Sequence, residues 1–445
     1  MRCFDLADLI IRDARVITGG AKGKVLKKAT IVVENGKVIE VSERPSGGYK
    51  ADRVIDGRGK LAIPGLVNAH AHTDETLGMN TVPDTISHIP WFEHWILPYY
   101  EKQTSDDRYW SAILSQMLML KSGTSCYADS ANRNPELAAK AAGEVGIRAF
   151  VAHWISDIGS YLPSTIDECI KKTRNLLRNY SDPQARVRAI ASVIGLNQCS
   201  DELYLEIKKL AEEYDVPITS HESSGHEDVL KSIKRIGSRP VENLARLGFL
   251  SKRVLLSHLT DVTKGEVDLV RDAGASVVLC PAAEMKKGKG LWKYGKLPRM
   301  INSKINMCLG TDTANSSNHL DVLRAATLLL LAVKDIAMDP AILEAKQALD
   351  MLTVNAGEAL GLRNFGSIAK GNVADIALFD LDRMEWFSEF DSMQGLFYGS
   401  RLETCATIVG GEVVYEEGQF TKMKQDDVLR RIRKRADRLA ERLRD

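Results

Sequence analysis

Apolar residues recur along this chain in two rhythms. Short runs rich in Val, Ile and Leu, the mark of buried strands, precede longer stretches in which apolar positions return every three or four residues, the mark of amphipathic helices. Runs of the first kind span Gly65 to His70, Thr124 to Asp129, Ala149 to Ile155, Ala189 to Gly195, Pro217 to Glu222, Val254 to Thr260, Ser276 to Pro281 and Met307 to Asp312. Between them lie helical patterns such as Trp110 to Lys121, Pro135 to Glu144, Asp201 to Tyr214, Val241 to Leu247 and Val262 to Ala273. Eight strand-helix units in roughly 300 residues is the expected size of an α/β fold of the (β/α)8 TIM-barrel type. A doubly wound open sheet is the alternative, but no G-x-G-x-x-G turn follows any of the strands.

The two ends of the chain share a different vocabulary. Leu9 to Ile11, Ala14 to Ile17 and Thr30 to Val33 read as strands, and Asn35-Gly36 turns the last of these into Lys37 to Val41. Far downstream, Ala374 to Phe379 is followed by Ala406 to Val409, a Gly410-Gly411 turn and Glu412 to Tyr415. The expectation is one small β-sandwich domain built from residues 1–60 and 364–422 around a barrel at 61–363. Residues 423–445 read as a terminal helix, with Val428, Leu429, Ile432, Ala436, Leu439 and Leu443 as its packing stripe.

Composition narrows the class. The 445 residues carry a net charge of +1, which gives no reason to expect a nucleic-acid partner. No run approaches the ~20 apolar residues of a membrane span. The start, Met1 to Asp8, carries acids too early for a signal peptide, so the cytoplasm is the expected compartment. The seven cysteines, at 3, 126, 169, 199, 280, 308 and 405, never form C-x-x-C, which reads as reduced thiols. Cys126, Cys280 and Cys308 sit in apolar runs and are expected to be small buried hydrophobes.

The chemistry gathers at the C-terminal ends of the expected strands, where barrel enzymes keep their active sites. His70 and His72 end the first strand, and residues two apart on a strand point the same way. His221 ends the fifth, His258 the sixth and Asp312 the eighth. Imidazole and carboxylate together suit zinc and related divalent ions.

These residues resemble the amidohydrolase superfamily, in the branch of S-adenosylhomocysteine and methylthioadenosine deaminases, guanine deaminase and the triazine hydrolases. The resemblance covers nearly the whole chain: Asp56-Gly57-x-Gly59 leading to Pro64-Gly65 and His70-x-His72, then Trp91-Phe92 with Pro98, Ser122 to Ser125, Gly146 to Ala149, and Gly310-Thr311-Asp312 with Ser317-Asn318. It implies one divalent ion, Zn2+ before Fe2+ or Mn2+, on His70, His72, His221 and Asp312, with His258 beside an activated water and Asp312 shuttling the proton. No lysine ends the fourth strand, which runs into Gly195-Leu196-Asn197-Gln198, so a single ion is expected rather than two. The implied reaction is hydrolysis of a non-peptide carbon-nitrogen bond in a small, cyclic or aromatic molecule, by a homo-oligomer with neither nucleic acid nor membrane as partner.

Departures from the family pattern matter. Deaminases of this branch place a glutamate three residues after the fifth-strand histidine; here that position is Ser224. Glu222 or Glu227 would have to return through an irregular loop to replace it. Where nucleoside deaminases hold ribose with a glutamate, this chain has Tyr100, and the Pro-His motif after the fourth strand is missing. Amide, urea and carbamate substrates therefore stand beside ring deamination.

Trp91, Phe92, Trp95, Tyr99 and Tyr100 form either a wall for a flat substrate or a loop core. His153 faces either the pocket or a packing layer, and Arg148 meets either an anionic substrate group or a structural acid. The basic residues Lys286, Lys287, Lys289, Lys293, Lys296 and Arg299 read first as a solvated loop and second as an anion attractor. Trp91, Tyr100, Arg148, His153 and Glu222 are the expected substrate-binding residues. Two rival functions remain: removal of halide or thiolate from a heteroaromatic ring, and a non-catalytic binding protein of the same fold.

Overall fold

Each of the eight apolar runs forms a parallel strand. In the computed structural model, which describes residues 6–46, 48–159, 163–195, 197–386, 392–399 and 402–444, the first barrel strand is Leu66–His72 and is buried throughout. It pairs with Thr124–Asn132, which pairs in turn with Arg148–His153. The fourth strand is broken at Ile190: Val187–Ala189 pairs back to the third strand, while Ala191–Val193 pairs forward to Ile218–Glu222. Val254–His258, Ser276–Leu279 and Met307–Leu309 continue the circuit. The eighth strand breaks in the same way, and Asp312–Thr313 closes onto the first. The two breaks divide the wall into two five-stranded arcs, a closed barrel rather than an open sheet.

Closure needs a close approach at one point. A Cβ on Gly310 would lie 2.7 Å from Cβ and from the carbonyl oxygen of His70. Only glycine lets the eighth strand press against the first, and that contact brings Asp312 beside the two histidines.

Both chain ends enter one nine-stranded sheet. Lys60–Pro64 is its hinge, parallel to Leu6–Ile17 on one side and antiparallel to Ile376–Asp380 on the other. The Asn35-Gly36 and Gly410-Gly411 turns close the hairpins expected of them. Gln425–Arg444 packs on helix Ser105–Lys121 through buried Val428, Ile432 and Leu439, whereas Leu443 stays exposed. Met1 to Asp5, with Cys3, and Leu196 lie outside the described residues. The other six cysteines are unpaired, and Cys126, Cys280 and Cys308 are fully buried.

Candidate active site

The barrel brings the expected donors to one place. Nε2 of His72 lies 3.3 Å from Nε2 of His221 and 3.5 Å from Oδ1 of Asp312, and Nε2 of His70 lies 3.8 Å from the same oxygen. Ligand atoms on a tetrahedron with arms of ~2.0–2.1 Å stand roughly 3.3 Å apart, which is the scale of these separations. Nε2 of His70 is buried without a hydrogen-bond partner, while its Nδ1 lies 2.8 Å from Oγ of Ser257. Donation from Nδ1 to that hydroxyl leaves a bare lone pair at Nε2, as a metal ligand requires. Burial first, and neighbouring imidazoles and Lys289 after it, hold His70, His221 and His258 well below the usual histidine range, so they are neutral donors.

Two of these residues owe their aim to unusual backbone. His258 has φ of 82° and Asp312 of 59°, left-handed values that non-glycine residues hold only when their surroundings fix them. Nδ1 of His258 meets Oε1 of Glu284 at 3.2 Å, and that oxygen also accepts the N–H of Cys280 at 3.0 Å. His258 is thereby held in the cavity lining, beside His70 and Asp312. Burial pushes the Glu284 carboxyl up to about 8.

Above the donors opens a cavity of about 380 Å³, whose lining includes His72, His221, His258 and Asp312. Trp91, Phe92, Tyr100 and Trp154 form its aromatic side. Phe92 and Trp154 lie nearly parallel, with centroids 6.4 Å apart. Glu75 ties this side to the floor: it accepts from the Tyr100 hydroxyl and, at 2.9 Å, from Nδ2 of Asn315, whose Oδ1 accepts from Nε1 of Trp91 at 3.2 Å. The aromatic loop thus divides its labour. Tyr99 is buried against Gly78 in the loop core, and Trp95 does not line the cavity.

Several expectations require correction. Glu222 does not enter the cavity; it accepts from Oγ of Ser220 at 2.6 Å and from the Tyr204 hydroxyl at 2.5 Å, because strand alternation turns it outward. Glu227 is exposed on helix His226–Ile236. His153 faces Glu136, with Nε2 to Oε1 at 3.2 Å, on the packing side. Arg148, at the opposite end of its strand, forks onto Asp375 of the end sheet at 3.0 and 3.2 Å. The basic loop is not simply solvated: Lys287 and Lys289 are buried, and Lys289 reaches the cavity.

Sequence reasoning missed Asp228. The stretch after His221 contains no irregular loop long enough to return Glu222; it enters a helix at His226, and Asp228 in its first turn faces the cavity. Its carboxylate accepts from Nδ2 of Asn197 at 2.6 Å and from the N–H of Ser224 at 3.1 Å, and burial raises it above the ordinary aspartate range. Glu75 and Trp154 were missed as well. The signal for Asp228 was the helical spacing of Val229, Ser232 and Ile236, with Asp228, Lys231 and Arg235 recurring on another face.

Residues 61–414 match the amidohydrolase family. The chain belongs to the amidohydrolase family. As such it is a hydrolase acting on carbon-nitrogen bonds other than peptide bonds. It is 30% identical to a 5-methylthioadenosine/S-adenosylhomocysteine deaminase of Acetivibrio thermocellus, over 97% of this chain and 99% of that one. It is 29% identical to a 5'-deoxyadenosine deaminase of Methanosarcina mazei, over 98% and 100%. Among solved structures, a zinc-bound adenosine deaminase from Xanthomonas campestris superposes with a TM-score of 0.93 at 24% identity, over 98% of this amidohydrolase and 100% of that chain. An atrazine chlorohydrolase from Arthrobacter aurescens, complexed with zinc, gives 0.89 at 24% identity, over 96% and 100%.

Proposed function

We propose that this amidohydrolase removes the amino group of a heteroaromatic ring as ammonia, with a single zinc ion held by His70, His72, His221 and Asp312. The observation that carries the reading is the approach of Asp312 to His70 and His72, and of His72 to His221, beneath an aromatic-sided cavity that the carboxyl of Asp228 also lines. The deaminase relatives are named for adenosine derivatives, so an aminopurine is the first ring to try. A divalent ion held by these residues would supply an activated water, its pKa lowered to about 7.

The side chains supply the rest. Asp312 takes the proton released by the attacking water and passes it to the departing amine. His258, fixed through Glu284, keeps a lone pair toward the reacting centre and orients that water. Addition to an aromatic carbon builds negative charge on the ring nitrogen; Asp228, which lines the cavity and whose carboxyl burial raises above the ordinary aspartate range, supplies a proton there and recovers it from the second proton of the water as ammonia leaves. Trp91, Phe92, Tyr100 and Trp154 hold the ring flat.

We extend the proposal to organisation. The barrel, residues 61–363, carries a β-sandwich made from 1–60 and 364–422, with the helix 423–445 packed alongside; the shared sheet of the two ends supports this. A reduced, cytoplasmic setting suits the six unpaired cysteines, and the exposed Leu331, Ile336 and Met338 suit a homo-oligomer interface. The test of the function is ammonia release by zinc-loaded protein from aminopurines, aminopterins and aminopyrimidines, beside ureas and carbamates. Release from ring amines is expected, and turnover of ureas or carbamates alone overturns the reading.

A further inference from the structure

The cavity wall beside Trp91 holds more positive charge than its neighbours neutralise. Lys287 and Lys289 follow helix Pro281–Lys286 and are 3% and 5% exposed. The Lys287 ammonium sits over the Trp91 ring, 5.2 Å from its centroid, and its Nζ has no hydrogen-bond partner. A ring face attracts the charge but leaves the N–H donors unanswered. His88 also stacks on Trp91, at 5.7 Å, and its buried Nδ1 has no partner. Lys289 lines the cavity, and its ion-pair partner is Oδ2 of Asp312 at 3.7 Å.

Other acids nearby are occupied. Glu75 is held by Tyr100 and Asn315, Asp228 by Asn197 and Ser224, and Glu284 by His258 and Cys280. With a cation on Asp312, that carboxylate serves two positive groups at once.

We propose that the substrate carries an anionic group, a carboxylate or a phosphate, which seats against Lys289 and His88 at the edge of Trp91, with Lys287 reinforcing the charge from behind. The proposal rests on the ring-hydrolysis reading for the identity of the rest of the molecule, and not for the anion seat itself. It makes the substrate a charged heteroaromatic amine rather than a neutral nucleoside.

The experiment measures binding to zinc-loaded full-length protein by calorimetry, with turnover recorded in parallel. One arm compares an aminopyridine carboxylate with its carboxamide, and the other compares adenosine 5'-monophosphate with adenosine. At least tenfold tighter binding of the anion is expected in one arm, which also tells carboxylate from phosphate. Lys289→Met keeps the length and apolar stem of the side chain, and should cut that preference to under threefold, with Lys287→Met giving a smaller loss. Melting temperature and zinc content establish that each variant is folded and loaded. Equal binding of charged and neutral partners in both arms, or a preference that survives Lys289→Met, overturns the proposal. Anion preference without ammonia release from any ring amine overturns the ring-hydrolysis reading and leaves the seat standing.

Discussion

The two ends of the barrel are built from the same strands and treat their polar groups in opposite ways. At the N-terminal end Arg148 meets both oxygens of Asp375, and Oδ1 of that aspartate also accepts the N–H of Gly410 at 2.7 Å. Thr407 donates to the carbonyl of Leu120 at 2.7 Å across the same junction. At the C-terminal rim, Nε2 of His70, Nδ1 of His72 and Nζ of Lys287 are buried without partners, and Ser223, His258, Leu259 and Asp312 hold positive φ. One end spends its polar groups on holding the barrel to the end sheet. The other keeps donors and charges unmatched, at a cost in stability, so that ligands complete them.

Substitutions at the two ends should therefore separate activity from stability. The largest effect is expected at Asp312: Asp312→Asn lowers kcat by roughly 10⁴-fold or more while the melting temperature hardly falls, since one residue loses both ligand and proton shuttle. Next comes Asp228→Asn, which should cost ~10²–10⁴ in kcat on ring amines. Glu222→Gln should leave the chemical step alone, and the reverse ranking of these two would remove Asp228 from its role.

At the other end, Arg148→Ala leaves Asp375 buried without its cation. Chemical denaturation should show a loss of ~3–5 kcal/mol, with kcat per folded molecule and metal content unchanged. The smallest effect is a pH dependence. Burial holds Lys287 down to about 8, so native and unfolded chains are both protonated below that pH and the full cost of burying the charge is present. Above it the native amine loses its proton first, and stability rises toward pH 10. Lys287→Met should thus be more stable than the parent near pH 7.5, and the gap should close as pH rises, which denaturation at the two pH values measures.

Much of the rim was legible because its rules are local. His70 and His72 share a face through strand alternation, and the C-terminal ends of apolar runs located His221, His258 and Asp312. The same alternation argued against Glu222, and expecting it in the pocket through a returning loop was the error, since it bonds Ser220 and Tyr204 instead. Asp228 escaped because the segment from Ser223 opens with polar residues and glycine, which read as loop, and only the helix turns position 228 inward and 227 outward. Arg148 and His153 were ambiguous for a different reason: their partners, Asp375 and Glu136, are fixed by packing between elements, which residue spacing does not encode. The lysines at 287 and 289 were misjudged by composition, since a run of basic residues says nothing of which ones the turn after Pro281–Lys286 buries.

The central claim is that one cation joins residues from the first, fifth and eighth strands. Three donor groups within reach of one ion overlap at this rim: His70 with His72 and His221, His70 with His258 and Asp312, and His258 with Cys280 and Glu284. Anomalous diffraction at the zinc edge, from crystals of the zinc-loaded protein, distinguishes them directly. The account predicts one ion per chain, ~2.0–2.2 Å from nitrogens of His70, His72 and His221 and from an oxygen of Asp312. An ion bound instead to His258, Cys280 and Glu284, or a second ion of equal occupancy, would contradict it.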